Sequence, residues 1–439
     1  MSFISAGFFM AMALTACLYY LIPKKYQWEL LLFVSFGFYA TYGIRYMGYI
    51  LFTIITSYCI TRLMAAQKEK LMRRRWLIFG LVSNFGILVF LKYVNFTILN
   101  LTSLFSVFHQ AFPLGKLSIV MPLGISFYTF QTMSYVIDVY QKKYEPETNI
   151  FRLALFTAYL PQLLQGPIGR YDRLAPQLFE PHDFDLKNIE YGAQRIAWGL
   201  AKKLILADRA YVFSKAVFAD LNTYSGMYVI VALLTFSIYE YCDFSGGIDV
   251  VIGVSELFGI RLDENFRQPY FSKSIGEFWR RWHMTLGRFF TRYVYIPLGG
   301  NRRGKMRTLC NVMIVMLLSG LWHGAAWTFV LWGFLHGVGM IWDNLEHPHL
   351  PKKWMRQAAT FAYVCMTFVF FRAESIAQGI DVLKSIVSLK WNGFVFQMAS
   401  ALDMTECYMI TKALSMKLPG LLSWFWLGIF VVLIAICFR

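Results

Sequence analysis

Charge is scarce in this sequence. Only 15% of its 439 residues are Asp, Glu, Lys or Arg, while 57% are hydrophobic. A soluble domain carries about a quarter charged residues, so much of this surface faces something other than water. Acid is scarcer still, with 25 Asp and Glu against 42 Lys and Arg, a net charge of +17. In a water-soluble chain that excess would suggest nucleic acid. Here the basic residues fall in short stretches between apolar runs: Lys24-Lys25, Lys68 to Arg75, Lys142-Lys143, Arg302 to Arg307 and Lys352-Lys353. That is the distribution of cytoplasmic loops in a membrane protein, where lysine and arginine set orientation and meet anionic lipid heads. It argues for membrane lipids and against nucleic acid as partners.

Paired cysteines are also missing. The seven cysteines are scattered without a CxxC pair, and most sit in apolar runs. They read as small buried hydrophobes, and neither a disulfide framework nor a zinc site is supported. No metal is expected. The sequence shows no internal repeat and no low-complexity tract, so one domain over 1–439 is the simplest division.

Long apolar runs are present. A spanning helix needs about 20 mostly apolar residues, and Phe3 to Ile22 is such a run with no charge. Trp76 to Leu91, Val312 to Trp342 and Leu418 to Phe438 continue the pattern. The first run lacks a basic lead and a small-residue cleavage site, so it reads as a retained helix rather than a signal peptide. An extracytoplasmic N-terminus lets helices over Phe3–Ile22, Glu29–Gly43, Met47–Met64, from Trp76, and over Ile119–Val139 deliver every strong basic cluster of this region to one side.

The middle is less regular. Phe151 to Leu164 is short for a span. Gly166 to Asn188 holds Pro167, Pro176 and Pro181 and reads as a loop. Tyr191 to Ala207 is amphipathic, and Met227 to Val254 is of membrane length. Glu256 to Arg307 is too polar to span yet dense in aromatics, so short, broken and re-entrant helices are expected, buried by protein or lining a wet cavity.

Ionisable groups inside apolar runs are costly and mark functional sites by default. His323 lies in the apolar stretch Leu321-Trp322-His323-Gly324. A neutral imidazole there suits a general base for an alcohol, and a histidine satisfied by a neighbouring carbonyl is an equal alternative. His336 lies on a different helical face, so meeting His323 requires a bend. By itself it reads as structural or supporting. His109, His182, His347 and His349 sit in or beside polar loops and read as solvated.

His283 closes the cluster Glu277-Phe278-Trp279-Arg280-Arg281-Trp282-His283. On a helix, Trp279, Trp282 and His283 would share a face, with Arg280 and Arg281 off it and able to hold phosphates. The competing reading is an interfacial helix anchored by Trp and Arg. Glu240 and Asp243 share a helix face beside the Gly246-Gly247 pair, which suggests a helix break lined with acids. Those acids could orient a histidine, pair with Arg280, or pair purely for structure. Pro297 to Gly304, with Arg302, is a basic turn able to cradle phosphate but better explained as a topology loop.

An ordered set of blocks gives these features a context. They run Pro122-Leu-Gly-Ile-Ser-Phe-Tyr-Thr-Phe-Gln131, Pro161-Gln162-Leu163 with Gly166-Pro167-Ile168, and Gly199 to Lys203. Asp243-Phe244-Ser245-Gly246, Glu264-Asn265-Phe266 through Pro269-Tyr270, and Glu277 to His283 follow. Tyr295 to Arg302, Gly320-Leu321-Trp322-His323-Gly324 and Phe370-Phe371-Arg372-Ala373 complete the set. Together they resemble the membrane-bound O-acyltransferase family, in particular its bacterial branch typified by alginate O-acetylation membrane subunits. At Ser245 to Asp249 the chain departs from the expected pattern, which leaves the acceptor open.

The resemblance implies an all-α polytopic membrane protein with about ten to twelve spans, each of the length a bilayer demands, plus re-entrant and interfacial helices around a central tunnel. N-terminal helices (1–115), a catalytic core (116–375) and C-terminal helices (376–439) would form one domain in the bacterial cytoplasmic membrane, shorter at its end than many members. It implies His323 as the catalytic residue, with His283 also tied to activity. His336, Asp243, Glu240, Trp322, Trp282 and Asn265 would support them or bind substrate, and Arg280, Arg281 and Arg302 would hold donor phosphates. No bound cofactor is implied. The co-substrate would be acetyl-CoA or another acyl thioester, and the acceptor a polysaccharide reached directly or through an extracytoplasmic acyltransferase. D-alanyl transfer to teichoic acid from an acyl carrier protein is the near alternative. A transporter of a polysaccharide precursor, without chemistry, is the distant one.

Overall fold

Backbone polar groups in hydrocarbon must pair within their own segment, which leaves helices as the economical answer to long apolar runs. A computed structural model describes residues 4–345, 352–388, 428–429 and 431–436. Among these, every regular element is helical. Four helices are long and apolar enough to cross a membrane: Ile44–Ala66, Lys70–Val107, Met227–Glu256 and Lys305–His323.

The chain opens with α1 (Ala6–Leu21), α2 (Gln27–Ala40), α3 (Ile44–Ala66) and α4 (Lys70–Val107). Ser5 caps α1 by accepting from the Phe8 amide, which satisfies one of the orphan donors of a helix start. Large apolar residues such as Met10, Leu14, Phe79 and Phe90 point outward, as lipid-facing residues must. The basic block Lys68 to Arg75, expected as a loop, is mostly the first turns of α4. Lys and Arg are good helix formers, and the 38-residue helix reaches about 57 Å. It therefore outreaches a bilayer core of about 30 Å, leaving room for its basic end outside.

Next come α5 (Ile125–Tyr140), α6 (Ile150–Ala158), α7 (Leu160–Gln165) and α8 (Tyr171–Phe179). The run Phe151 to Leu164 breaks at Tyr159, just before Pro161 opens α7. The segment expected as loop throughout contains α8, with Pro176 inside it. Burial of Leu174, Ala175 and Leu178 outweighs the proline. His182 is not simply solvated either. Its Nδ1 lies 3.0 Å from the Tyr19 hydroxyl, its backbone is held on both sides by Gln27, and partial burial pushes its pKa below the ordinary value. Of the other loop histidines, His109 is exposed, and His347 and His349 lie outside the described residues, as does most of the Leu418–Phe438 run.

The helix α9 (Leu186–Leu200) continues through a wide-turned segment, Ala201–Ala207, into α10 (Asp208–Ala219), and α11 (Met227–Glu256) packs along both. The expected break at Gly246-Gly247 is absent, because α11 runs straight through. The glycine serves packing instead. A Cβ on Gly199 would stand 2.6 Å from the Gly246 carbonyl oxygen, so α9 and α11 touch backbone to backbone. Asp243 pairs with Lys203, and Asp249 with Lys202 and, at 2.7 Å, Arg195. Arg195 also holds Glu264 at 2.7 Å. These acids therefore pair across α9 and α11 and not with Arg280 or a histidine. Glu240 is half-buried on α11 and joins none of these pairs.

Residues 257–304 form the expected broken stretch: a single turn at Pro269–Phe271, α12 (Ile275–Arg281), α13 (Met284–Phe290) and a wide turn at Thr291–Tyr295. The last elements are α14 (Lys305–His323), α15 (Trp327–Asn344), α16 (Lys353–Arg372) and α17 (Ile376–Ser385). Of the described cysteines, Cys242 and Cys365 are buried, but Cys17, Cys59 and Cys310 lie on the outer surface. Lipid accepts a thiol on an outward helix face as readily as a core does.

Candidate functional site

The apolar run Val312 to Trp342 folds as a hairpin, and His323 sits at its bend. α14 ends on His323, Gly324 is extended, and α15 starts at Trp327. A Cβ on Gly320 would come within 2.3 Å of the Phe329 carbonyl oxygen and 3.2 Å of Gly333 Cα. Only glycine lets the two helices close this tightly below the bend. The His323 imidazole is then boxed by rings, edge-on to Trp322 (4.9 Å between centroids), Trp332 (5.1 Å) and Phe371 (5.2 Å). Its Nε2 is enclosed and makes no hydrogen bond.

His283 is 1% exposed. It was expected on a helix with Trp279 and Trp282, but α12 ends at Arg281 and His283 takes a left-handed φ of +44°. Asn265 creates that turn. Its backbone oxygen accepts from the Met284 amide at 2.9 Å, and its Oδ1 accepts from the Thr285 amide at 3.0 Å and hydroxyl at 2.6 Å. The His283 ring meets Phe244 (4.9 Å) and Trp322 (5.7 Å), and neither ring nitrogen has a partner. Trp322 thus touches both histidines. Trp282 instead stacks against Phe278 and Tyr270 as part of the packing.

His336 is closed. Trp279 Nε1 donates to its Nδ1 at 3.2 Å, and Thr367 Oγ1 lies 3.0 Å from its Nε2. The threonine hydroxyl donates to the Val364 carbonyl, so it accepts from Nε2–H, which fixes the tautomer. The ring also stands 4.8 Å from Trp332. The bend lets His336 and His323 share Trp332 without touching.

Buried polar atoms are almost always paired, and exceptions ask for an explanation. Here they gather: both nitrogens of His283, Nε2 of His323, Nε1 of Trp322 and of Trp332, and Nδ2 of Asn265. A polar reactant or ordered water between them would satisfy the set.

A cavity of about 760 Å³ approaches this cluster. Its walls include Met284, Thr285, Met316 and Ser319 near the histidines, and Arg170, Arg280, Arg288 and Arg292 farther out. Met316, Ser319 and His323 recur at helical spacing on one face of α14. The cavity therefore climbs the His323 face to within about one turn, roughly 6 Å. Arg170, Arg288 and Arg292 are each steadied by an acid, Asp172, Asp263 and Asp138 respectively. Arg280 has no acidic partner among the described residues and is free to meet an anion. The other expected phosphate ligands lie elsewhere: Arg281 pairs with Glu277 at 2.7 Å, and Arg302 is exposed on its turn, away from the cavity.

The sequence reading overlooked Lys92 and Tyr93. The Lys92 ammonium donates to the Trp322 carbonyl, and the Tyr93 hydroxyl to that of Leu321. The signal was present, since Lys92 is an ionisable residue directly after the apolar run Trp76 to Leu91 and is itself followed by further apolar residues. Asp138 was missed too. It is 1% exposed and accepts from Tyr293 (2.8 Å) and Lys143 (2.6 Å) beside Arg292, shaping the cavity wall.

Residues 147–378 match the model of the MBOAT, membrane-bound O-acyltransferase family. The chain is 32% identical over 402 residues to a peptidoglycan O-acetyltransferase of Helicobacter pylori, covering 84% of this chain and 74% of the relative. It is 37% identical over 372 residues to a probable alginate O-acetylase AlgI of Azotobacter vinelandii, again covering 84% and 74%. A teichoic acid D-alanyltransferase of Streptococcus thermophilus is 29% identical over 265 residues, 56% of this chain and 60% of the relative.

Proposed function

The chain belongs to the membrane-bound O-acyltransferase family, and from that premise we propose that it moves an acetyl group from a cytoplasmic thioester, acetyl-CoA, to a hydroxyl of a cell-envelope or exported polysaccharide. The transfer is direct or passes through an extracytoplasmic partner protein. It works as one membrane domain in the bacterial cytoplasmic membrane, with its N-terminus outside and, as the family resemblance implies, about ten to twelve spans.

Donor phosphates dock at the outer arginines, Arg280 foremost, through charge-assisted hydrogen bonds. The thioester arm follows the cavity along Met316 and Ser319 toward His323. His323 Nε2 takes the proton of the acceptor hydroxyl as its oxygen attacks the thioester carbonyl. The tetrahedral intermediate collapses, the C–S bond breaks, and the thiolate takes a proton from the imidazolium, leaving an ester and free CoA. A His283 N–H and the Trp322 indole N–H, both unpartnered, supply donors where negative charge develops on the carbonyl oxygen.

The observation that carries this reading is the unpartnered Nε2 of His323, one helical turn beyond Ser319 in the wall of an arginine-lined cavity. The acetyl donor is favoured over a D-alanyl one because the acetylating relatives match more of the chain at higher identity. The test uses purified protein in nanodiscs with acetyl-labelled CoA and alginate oligomers or muropeptides. Labelled product from the wild type and none from His323→Ala supports the reading. Wild-type rates from His323→Ala would sink it.

A further inference from the structure

We infer that Lys92 is a positioning residue for His323, and that α4 sets the geometry of the reacting imidazole from outside the segment that carries the family's motifs. The inference rests on the reading of His323 given above.

The observation is a stripe on α4. Lys92, Tyr93, Phe96 and Asn100 follow one face of the helix at the i, i+4 and i+3, i+7 spacing. Every one of them touches the bend of the α14–α15 hairpin. Lys92 donates to the Trp322 carbonyl and Tyr93 to the Leu321 carbonyl. Phe96 packs on Trp327 with centroids 5.7 Å apart, and Asn100 Oδ1 accepts from Trp327 Nε1 at 2.7 Å. The hairpin is thus held on both sides of His323 by one rigid helix.

The last carbonyls of a helix have no partner within it. α14 ends at His323 inside the protein, where water is a poor substitute. Lys92 and Tyr93 fill two of those vacancies, on the two residues just before the histidine. A cation at a helix C-terminus also complements the helix dipole. The same ammonium stands 5.7 Å from the centre of the Trp322 ring, the ring that lies against both His283 and His323. A lysine at membrane depth is costly, and a serine or tyrosine would cap a carbonyl at lower cost. What lysine adds is a long arm that ties the Trp322-His323 peptide to α4.

This places Lys92 one peptide unit from the base and outside residues 147–378, which match the family model. A displacement of the imidazole by about 1 Å can cost on the order of 100-fold in rate without weakening substrate binding. Loss of a cap alone would lower stability and leave kcat close to normal.

The test measures kcat and KM for acetyl-CoA, with alginate oligomers as acceptor, for Lys92→Met, Lys92→Arg and Tyr93→Phe in nanodiscs, with His323→Ala beside them. Lys92→Met is expected to lose about 100-fold in kcat with KM within threefold, the signature of an interaction that matters in the transition state. Lys92→Arg should recover to within tenfold of wild type, and Tyr93→Phe should lose less than Lys92→Met. If Lys92→Met does not fold, Lys92→Gln is judged by the same criteria. A kcat for Lys92→Met within threefold of wild type overturns the inference, as does Lys92→Arg falling as far as Lys92→Met. An active His323→Ala would overturn the function itself; an inactive His323→Ala with an active Lys92→Met overturns only the role of Lys92.

Discussion

Trp332 stands edge-on to His323, with ring centroids 5.1 Å apart and an angle of 81° between the planes. The same indole meets His336 at 4.8 Å. One tryptophan therefore contacts both a histidine with an unpartnered Nε2 and one whose two nitrogens are both bonded. The two should fail differently when replaced.

His323→Ala is expected to remove at least 100-fold of the transfer rate, the scale of a lost general base. Its thermal midpoint should stay near wild type, because no hydrogen bond of Nε2 is lost. His336→Leu should do the reverse. It strands the Trp279 indole N–H, which costs about 1–3 kcal/mol, so the midpoint falls first and activity follows the folded fraction. Fluorimetric melting and a labelled-acetyl assay on the same preparations separate the two.

Gly320→Ala should damage both stability and activity. The added Cβ would fall 2.3 Å from the backbone oxygen of Phe329, and backbone cannot rotate away. The hairpin must open by an ångström or more, carrying His323 with it. Gly37→Ala, where nothing lies within 4 Å, should be neutral or slightly stabilising, since alanine is the better helix former. Equal melting of the two variants would contradict this packing.

Arg280→Leu should raise the KM for acetyl-CoA about tenfold, near 1.4 kcal/mol of binding, with kcat little changed. The arginine lines the cavity and has no acidic partner among the described residues. Acetyl-pantetheine, which lacks the phosphates, should be used equally by the variant and the wild type. A KM that stays put with the CoA donor would move the phosphate site elsewhere.

Asp249→Asn should cost about 3–5 kcal/mol, because removing one partner of a buried pair leaves the others uncompensated. The carboxylate holds Arg195 at 2.7 Å and also Lys202, which is 5% exposed. Combining Asp249→Leu with Lys202→Met should recover part of the loss. A double variant less stable than either single change would argue against the pairing.

Much of this was legible in advance. His323 stood out because an imidazole amid apolar residues is conspicuous wherever the chain goes. The broken stretch before Arg307 was legible because its polarity forbids a span. The contacts of the acids were not. Asp243 and Asp249 belong to α11, and the lysines and arginine that hold them belong to the α9 region, 40 or more residues earlier in the chain. Lys92 carried a similar signal, but it directly follows the run Trp76 to Leu91 and passes for the polar end of that span. Arg281 and Arg302 looked like phosphate ligands by type, and only their neighbours showed otherwise.

Composition and periodicity by themselves determined that the chain is helical and lies in a membrane, because apolar length and loop charge act locally along the sequence. They also determined that His323 is anomalous. Tertiary structure decided what surrounds it. The left-handed turn at His283 depends on Asn265, the tautomer of His336 on Thr367 and Trp279, and the end of α14 on Lys92. Each of these is a contact between segments far apart in the chain, and a side chain's hydrogen-bond partner is set by where the helices pack, which no local pattern records.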